Sequence, residues 1–336
     1  MMLSRRHCLR LGAAAALAAF ATTRPRRAAA QTGTRGFDAL DIDWVDANRQ
    51  RAVPVRLYLP NDAGTTGSAG SAGNATRLPV VVFSHGIGGS RRGYTWLGQH
   101  FARHGIASLH LQHVGSDRNL WTGSVFNLVG RLQGAAQDSE AVARVQDLRF
   151  ALDMLLTGDL ADRFDTRRIA AAGHSYGANT TLLASGARVS REGGVLDLVD
   201  ARVRAAIVIS APPFYGEDDP SRILASVAVP SLHVTATEDV IRIPGYFSAA
   251  QDRVKVFEAT GSTRKWLAVY EGGSHSMFTD RQGTGGATLN PRVKLATQGL
   301  MLAFLRDVFD GDQAALAAWP QQHAELLARF TAPLAA

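Results

Sequence analysis

One serine in the chain has the neighbours of a catalytic nucleophile. The five residues from Gly173 to Gly177 read Gly-His-Ser-Tyr-Gly, with a short apolar run at 169–172 before them and small residues at helical spacing after them. In this strand, turn and helix setting of G-x-S-x-G, the glycines let the backbone turn tightly and lift the serine hydroxyl above a sheet. The pattern therefore predicts that Ser175 is a nucleophile.

A serine nucleophile needs a base to take its proton and an acid to orient that base. Of the ten histidines, His275 alone follows a predicted strand downstream of a candidate acid, and it lies in a glycine-rich stretch. Asp239 follows the preceding predicted strand and is the predicted acid. The alternatives are that position 275 is only a surface-loop histidine, and that Glu238 or the acidic cluster at 217–219 replaces Asp239.

Acyl transfer also needs backbone donors for a developing oxyanion. The amide of Tyr176, directly after the nucleophile, is one predicted donor. The amide of Ile87 is the other, because the glycines of segment 86–89 let that backbone approach a substrate. A phosphate cradle is the alternative for this loop, but the G-K-[ST] of a P-loop is missing. His85 is predicted to brace the loop and not to act as a second base.

These residues all fall at the ends of predicted strands. Apolar runs predict strands at 39–45, 53–59, 78–83, 106–111, 168–172, 203–209, 229–235 and 266–270, and helical spacing predicts helices at 94–104, from 139 onward, at 293–308 and at 313–330. The first two strands alternate apolar and polar residues and predict an antiparallel pair at a sheet edge. The fold class is therefore predicted to be α/β, with a mostly parallel sheet, helices on both faces and the site at the carboxyl ends of the strands.

The net charge of +7 comes almost entirely from the N-terminus. The first thirty residues hold six arginines and no acidic residue, so the remaining chain carries a net charge of only +1. A domain this close to neutral gives no reason to expect nucleic acid or an anionic membrane as a partner. Residues 31–336 are predicted to form one domain with a flexible, Gly- and Ser-rich loop at 61–77.

The N-terminal thirty residues are predicted to be an export signal. Residues 4–10 read Ser-Arg-Arg-His-Cys-Leu-Arg, an apolar run at 11–21 follows, and Ala28, Ala29 and Ala30 resemble a small-residue cleavage site. The run is too short to span a bilayer, so no stable membrane insertion is expected after removal of the signal. We therefore predict a periplasmic or secreted protein exported by a twin-arginine signal. The alternative is a retained, membrane-anchoring N-terminus.

Neither cysteine chemistry nor a metal is predicted for the mature protein. Cys8 is the only cysteine and would leave with the signal, which excludes disulfides and thiolate ligands. His110, His113 and Asp117 can be read as a metal cluster, but His110 falls inside an apolar strand, so no metal is expected there.

The combined motifs resemble the α/β-hydrolase superfamily. They are the stretch 80–91, the serine turn at 173–177, the stretch 235–239 and the Gly-Gly-Ser-His at 272–275. Within that superfamily they are similar to the branch of platelet-activating-factor acetylhydrolases, dienelactone-hydrolase-like proteins and bacterial polyester hydrolases. The resemblance covers roughly residues 39–309. It implies an eight-stranded sheet, Ser-His-Asp catalysis and no cofactor. Dienelactone hydrolases use cysteine where this chain has Ser175, so the resemblance does not extend to that activity.

We therefore expect a serine carboxylic-ester hydrolase that acts on a small-molecule or lipid-like ester through an acyl-enzyme. A peptidase or acyltransferase with the same triad, and a non-catalytic binding protein that kept the fold, are the alternatives. Oligomeric state is not indicated by the sequence. Six aromatic residues are candidates for the pocket border, with ordinary core packing as the alternative for each: Trp96, Trp121, Phe126, Phe214, Tyr215 and Phe278.

Overall fold

The computed structural model describes residues 36–61, 77–191, 194–216, 219–243, 246–281 and 286–333. The predicted export signal at 1–30, nearly all of the predicted loop at 61–77, and Glu217 and Asp218 of the acidic cluster lie outside these residues. None of the helices in the described ranges is both long and apolar enough to cross a bilayer.

The described residues alternate between strands and helices along the chain. The strands are β1 Phe37–Asp46, β2 Arg51–Pro60, β3 Leu78–Ser84, β4 Ala107–Leu111, β5 Phe164–His174, β6 Arg188–Arg191, β7 Gly194–Asp197, β8 Ala205–Ile209, β9 Ser231–Glu238, β10 Ile241–Ile243, β11 Tyr246–Ser248, β12 Lys265–Ser274 and β13 Leu327–Thr331. The helices are α1 Thr95–Arg103, α2 Leu128–Ala135, α3 Asp138–Thr157, α4 Tyr176–Ala184, α5 Pro220–Leu224, α6 Ala250–Ala259, α7 Leu289–Asp310 and α8 Ala314–Gln322.

Nine of the strands form one sheet in the order β1-β2-β4-β3-β5-β8-β9-β12-β13. The strands from β4 to β12 in that order are parallel to their neighbours, whereas β1, β2 and β13 run antiparallel at the two edges. The predicted α/β class and mostly parallel sheet are confirmed. Two small hairpins, β6–β7 and β10–β11, stand apart from this sheet.

Helices cover the sheet on both faces, which explains the continuous apolar runs of the central strands. In β3, Val80 and Val82 pack into one buried cluster with leucines of α3 and α4. Val81 and Phe83 point to the opposite face and join a second cluster with residues of α1 and α7. A parallel strand buried on both sides has no polar face, so its sequence cannot alternate.

The sheet has nine strands, one more than the eight that the resemblance implied. The extra strand, β13, comes from a segment that is predicted as helix. The helix predicted at 313–330 ends at Gln322, two residues after Pro320, which lies inside α8. Residues 327–331 then pair antiparallel with β12, and Phe330 packs on Trp319 with ring centroids 5.6 Å apart. The extra strand covers the edge of the strand that leads to His275.

Candidate active site

The turn from β5 into α4 holds Ser175 in a strained conformation. Its φ is 55° and its ψ is −124°, values that a side-chain-bearing residue rarely adopts. The Ser175 N–H donates to the Ile209 carbonyl at 2.9 Å, which anchors the turn to β8. Both glycines are required by close packing: a Cβ on Gly173 would overlap the Gly177 carbonyl, and one on Gly177 would overlap the Ser84 carbonyl. The local pattern therefore produces the tight serine turn between strand and helix that the sequence predicted.

The structure brings Ser175, His275 and Asp239 together. His275 begins the turn after β12, and its Nε2 lies 2.8 Å from the Ser175 Oγ. Its Nδ1 lies 2.7 Å from Oδ1 of Asp239, which follows directly on β9. With a proton on Nδ1 donated to the carboxylate, Nε2 is free to accept the serine proton. The alternative acid Glu238 is exposed, at the end of β9.

Asp239 is fully buried and is held ionised by its neighbours. Burial by itself raises the pKa of the carboxyl, but the charge and hydrogen bond of His275 and the charge of Arg253 outweigh it and hold the pKa well below its ordinary value. The Arg253 Nε lies 3.3 Å from the Asp239 Oδ1. The Thr235 hydroxyl donates to Oδ2 at 2.8 Å. The carboxylate is thus fixed in place and available to orient an imidazole.

A second histidine braces the turn that carries His275. The Nε2 of His174 donates to the His275 carbonyl at 2.9 Å, and its Nδ1 accepts from the Tyr94 hydroxyl at 2.8 Å. Burial lowers the pKa of His174 to about 3, so the ring is neutral at physiological pH, as one donor and one acceptor require. His174 therefore couples the position of His275 to the turn that carries Ser175.

The loop after β3 lies directly against the serine. A Cβ on Gly86 would lie 3.2 Å from the Ser175 Cβ, a tight contact that a glycine avoids. The Gly88 N–H donates to the Ser116 carbonyl at 2.8 Å and the Gly89 N–H to the Gly86 carbonyl at 3.0 Å. Among the backbone contacts of the described turns and loops, none uses the N–H of Ile87 or of Tyr176. Both predicted oxyanion donors thus remain available to an incoming atom.

Buried histidines support this loop from below. His85 is fully buried, and its Nε2 accepts from the His113 N–H at 3.1 Å. The His113 ring spans Asp147 and the Ser84 hydroxyl, at 3.0 Å from each. His110 instead bonds the Ser108 hydroxyl and the Gly93 carbonyl. Among the described residues, no three histidine, cysteine or carboxylate side chains converge as metal ligands would.

An apolar cavity of about 140 Å³ opens beside Ser175. It is lined by residues of α3, α4 and the two small hairpins, and its polar lining residues include Asp138, Asn179 and Arg191. Its wall includes Leu183, Leu196, Leu198, Pro212, Phe214, Tyr215, Ile241 and Tyr246. The cavity is therefore suited to a chain or ring that carries few polar atoms.

Two of the six predicted pocket aromatics, Phe214 and Tyr215, line this cavity. The others do not: the Trp96 indole donates to the Phe278 carbonyl and the Trp121 indole donates to the Gly88 carbonyl, both at 2.9 Å. Phe278 is buried in the core, and Phe126 is 93% exposed. The two hairpins contribute six of the lining residues, and the sequence gives little sign of these hairpins because each of their strands has only three or four residues.

Comparison with known proteins gives a match over one part of the chain. Residues 61–127 match the family model described as platelet-activating factor acetylhydrolase, isoform II. That segment contains the loop at 86–89 but none of Ser175, Asp239 and His275. No curated protein sequence matches the chain.

Many solved structures match the chain, and one is a cold-adapted esterase from an Arctic intertidal metagenomic library, in a PEG-bound complex. It is 17% identical with a TM-score of 0.49, and the match covers 74% of this chain and 89% of that one. The fold itself follows from this chain's own topology: a mixed sheet, a strained serine turn between strand and helix, and the order Ser, Asp, His along the sequence. The chain thus has the α/β-hydrolase fold and, over residues 61–127, resembles the platelet-activating-factor acetylhydrolases.

Proposed function

We propose that the protein is an exported serine carboxylic-ester hydrolase with Ser175, His275 and Asp239 as its triad. The observation that carries this proposal is the continuous hydrogen-bonded line from the Ser175 Oγ through His275 to the Asp239 carboxylate, at 2.8 and 2.7 Å. The family match over 61–127 supports an ester as substrate, since that family is named for hydrolysis of an acetyl group.

In the proposed acylation, the Ser175 Oγ attacks the ester carbonyl carbon while His275 Nε2 takes the hydroxyl proton. The carbonyl oxygen becomes an oxyanion that accepts hydrogen bonds from the amides of Ile87 and Tyr176. Losing one such donor typically slows an enzyme by about a hundredfold or more. Asp239 keeps the proton on Nδ1 and stabilises the imidazolium.

Collapse of the tetrahedral intermediate breaks the bond to the alcohol oxygen, which leaves with the proton from His275. The acyl-enzyme remains on Ser175. His275 then deprotonates a water molecule that attacks the same carbonyl carbon, and a second tetrahedral intermediate releases the acid and returns the proton to Ser175.

The cavity beside Ser175 supports an apolar acyl group on the substrate. Its lining is mostly apolar and includes side chains such as Leu183 and Phe214. Each methylene moved from water into such a wall contributes about 0.8 kcal/mol. A cavity of about 140 Å³ holds a chain longer than acetyl. We infer a small-molecule or lipid-like ester as substrate.

Labelling with a fluorophosphonate tests the nucleophile and the class together. The wild-type protein should be labelled on the peptide that contains Ser175, and Ser175→Ala should lose both the label and p-nitrophenyl ester hydrolysis while its thermal unfolding is retained. Ser185→Ala, a buried serine just past the end of the same helix, is the matched control and should keep both. Unchanged hydrolysis in Ser175→Ala would exclude the mechanism.

Two further assays define the reaction class and the export. Parallel p-nitrophenyl ester and p-nitroanilide substrates, with and without an acceptor alcohol, separate an esterase from a peptidase or an acyltransferase. Replacing Arg5 and Arg6 by lysine should retain the precursor in the cytoplasm of a bacterial host if the twin-arginine proposal is right. Export of that variant at the normal rate would refute it.

A further inference from the structure

We infer that Arg144 is a positioning residue of the oxyanion hole, tying the loop that carries Ile87 to the helix that begins at Tyr176. Arg144 comes from α3 and has no exposed surface. It does not face the cavity and is assigned no part in the proposed bond-making steps. The inference rests on the proposed function, because it names what sets the distance between the two proposed donors.

On the loop side, the guanidinium holds both flanks of the Ile87 turn. Its Nη2 donates to the carbonyl of His85, two residues before Ile87. Its Nη1 donates to the Ser116 hydroxyl at 2.7 Å, and the Ser116 carbonyl accepts the Gly88 N–H at 2.8 Å. The amide of Ile87 therefore lies between two points that are both fixed by Arg144.

On the helix side, the same guanidinium holds the first turn of α4. Its Nε donates to the Thr180 hydroxyl at 2.9 Å, and that hydroxyl donates in turn to the Tyr176 carbonyl at 3.1 Å. The guanidinium carbon also lies 4.5 Å from the centroid of the Tyr176 ring, a cation–π distance. One planar group thus contacts the residues on either side of the space where the oxyanion would form.

The charge of Arg144 is directed to neutral partners. Within the described residues its hydrogen bonds go to two hydroxyls and a carbonyl, while the neighbouring acids Glu140 and Asp147 form ion pairs with Arg51. The Ser116 hydroxyl also donates to Glu140 at 2.8 Å, so the closest link from Arg144 to a carboxylate passes through that hydroxyl. Burial lowers the pKa of Arg144 to about 10, which leaves the group cationic at neutral pH. A buried cation without a direct carboxylate partner is costly for folding, and an apolar side chain would fill the space at lower cost. The positive charge of Arg144 also favours negative charge nearby, as an oxyanion site requires.

The Arg144→Lys variant is the test, because it keeps the charge but cannot reach all of these partners from one point. We expect kcat per active site to fall about ten- to a hundredfold while KM changes by less than about threefold, since the ground-state ester does not use the oxyanion contacts fully. Active sites are counted by fluorophosphonate labelling, so a misfolded fraction does not enter kcat.

A trifluoromethyl ketone separates positioning from a general structural role. Ser175 adds to its carbonyl, His275 takes the serine proton, and the ketone oxygen becomes an oxyanion in the same hole. Its inhibition constant should rise in Arg144→Lys by the same factor as kcat/KM falls. Leu148→Ala, a buried core change one turn along α3, is the control. It should lower Tm without changing kcat per active site or the inhibition constant.

The results for Arg144→Lys and for labelling of the wild type test the role of Arg144 and the proposed function separately. If kcat and the inhibition constant are unchanged in Arg144→Lys while Ser175 of the wild-type protein is labelled, the role of Arg144 is overturned and the proposed function stands. Absence of labelling at Ser175 in the wild type would instead overturn the proposed function. Arg144→Met is a second variant, and it should lose more activity than Arg144→Lys because it also removes the charge.

Discussion

Replacing Asp239 by asparagine should damage catalysis and stability through separate contacts. Thr235 donates to Oδ2, so the amide oxygen of asparagine takes that position and the NH₂ group faces His275. The Nδ1 of His275 must then accept, which moves its proton to Nε2 and prevents that atom from taking the Ser175 proton. An exchange of this kind costs about 10⁴ in kcat, equivalent to about 5 kcal/mol in the transition state.

The stability effect comes from Arg253. Its Nε lies 3.3 Å from the Asp239 carboxylate and the residue is 3% exposed, so asparagine leaves a buried cation without its counter-charge. Breaking a buried pair from one side destabilises a protein by about 3–5 kcal/mol. In Asp239→Asn combined with Arg253→Met, most of this loss should be recovered because the unpaired charge is gone, whereas kcat should stay low.

Urea denaturation measures the stability effect, and steady-state hydrolysis of a p-nitrophenyl ester measures the effect on kcat. Both are measured on the wild type, Asp239→Asn, the double variant with Arg253→Met, and Glu238→Gln. Glu238→Gln is the control, since Glu238 is exposed beside Asp239 and should tolerate the change. A loss of kcat below about tenfold in Asp239→Asn, or a large loss in Glu238→Gln, would show that Asp239 is not the orienting acid. If the double variant is no more stable than Asp239→Asn, the ion-pair explanation is wrong.

Three other changes follow from the packing, the buried histidines and the cavity. Gly177→Ala should lower the free energy of unfolding sharply, because its Cβ would overlap the Ser84 carbonyl, while Gly134→Ala has open space and should raise it by about 0.5–1 kcal/mol in chemical denaturation. Burial lowers the pKa of four histidines to about 3: His110, His113, His174 and His233. Their folded pKa lies below the unfolded value of about 6.5, so the stability they contribute is complete above pH 6.5 and is lost as pH falls, by about 6 kcal/mol together at pH 5.5. Urea midpoints against pH measure this loss. His233→Leu, inside β9 where the ring packs on Phe257, should reduce the slope of stability against pH below pH 6.5 by about one proton, and an unchanged slope would refute the assignment. Finally, kcat/KM for p-nitrophenyl esters should rise about fourfold per added methylene until the cavity is full. Leu183→Trp should shorten the best chain, and an identical chain-length profile would show that the acyl group lies elsewhere.

The parts of the site that could be predicted are those whose residues are recognisable from their immediate sequence neighbours. The serine turn needs two glycines within five residues, and His275 and Asp239 each follow a recognisable strand. The order of these strands along the chain was enough to predict that the three side chains meet, because parallel strands end at one edge of a sheet.

The supporting contacts could not be predicted because they join distant segments. His174 bonds a residue 101 positions away, and Arg144 bonds one 59 positions away. Arg144 lies in the middle of a helix, where an arginine is ordinarily solvated, so nothing in its neighbours indicates burial. The C-terminal strand was predicted as helix because its alanine-rich surroundings favour helix, whereas pairing with β12 decides its conformation.

That C-terminal strand has a consequence for handling the protein. Without residues 327–331, β12 would present a row of unpaired backbone groups along Leu267–Tyr270. An open, apolar strand edge is a template on which other chains can pair and aggregate. Strand β12 itself continues into the turn that holds His275. Trimming the C-terminus, or attaching a fusion partner that pulls this segment away, should therefore produce insoluble protein before it produces a soluble enzyme of altered activity.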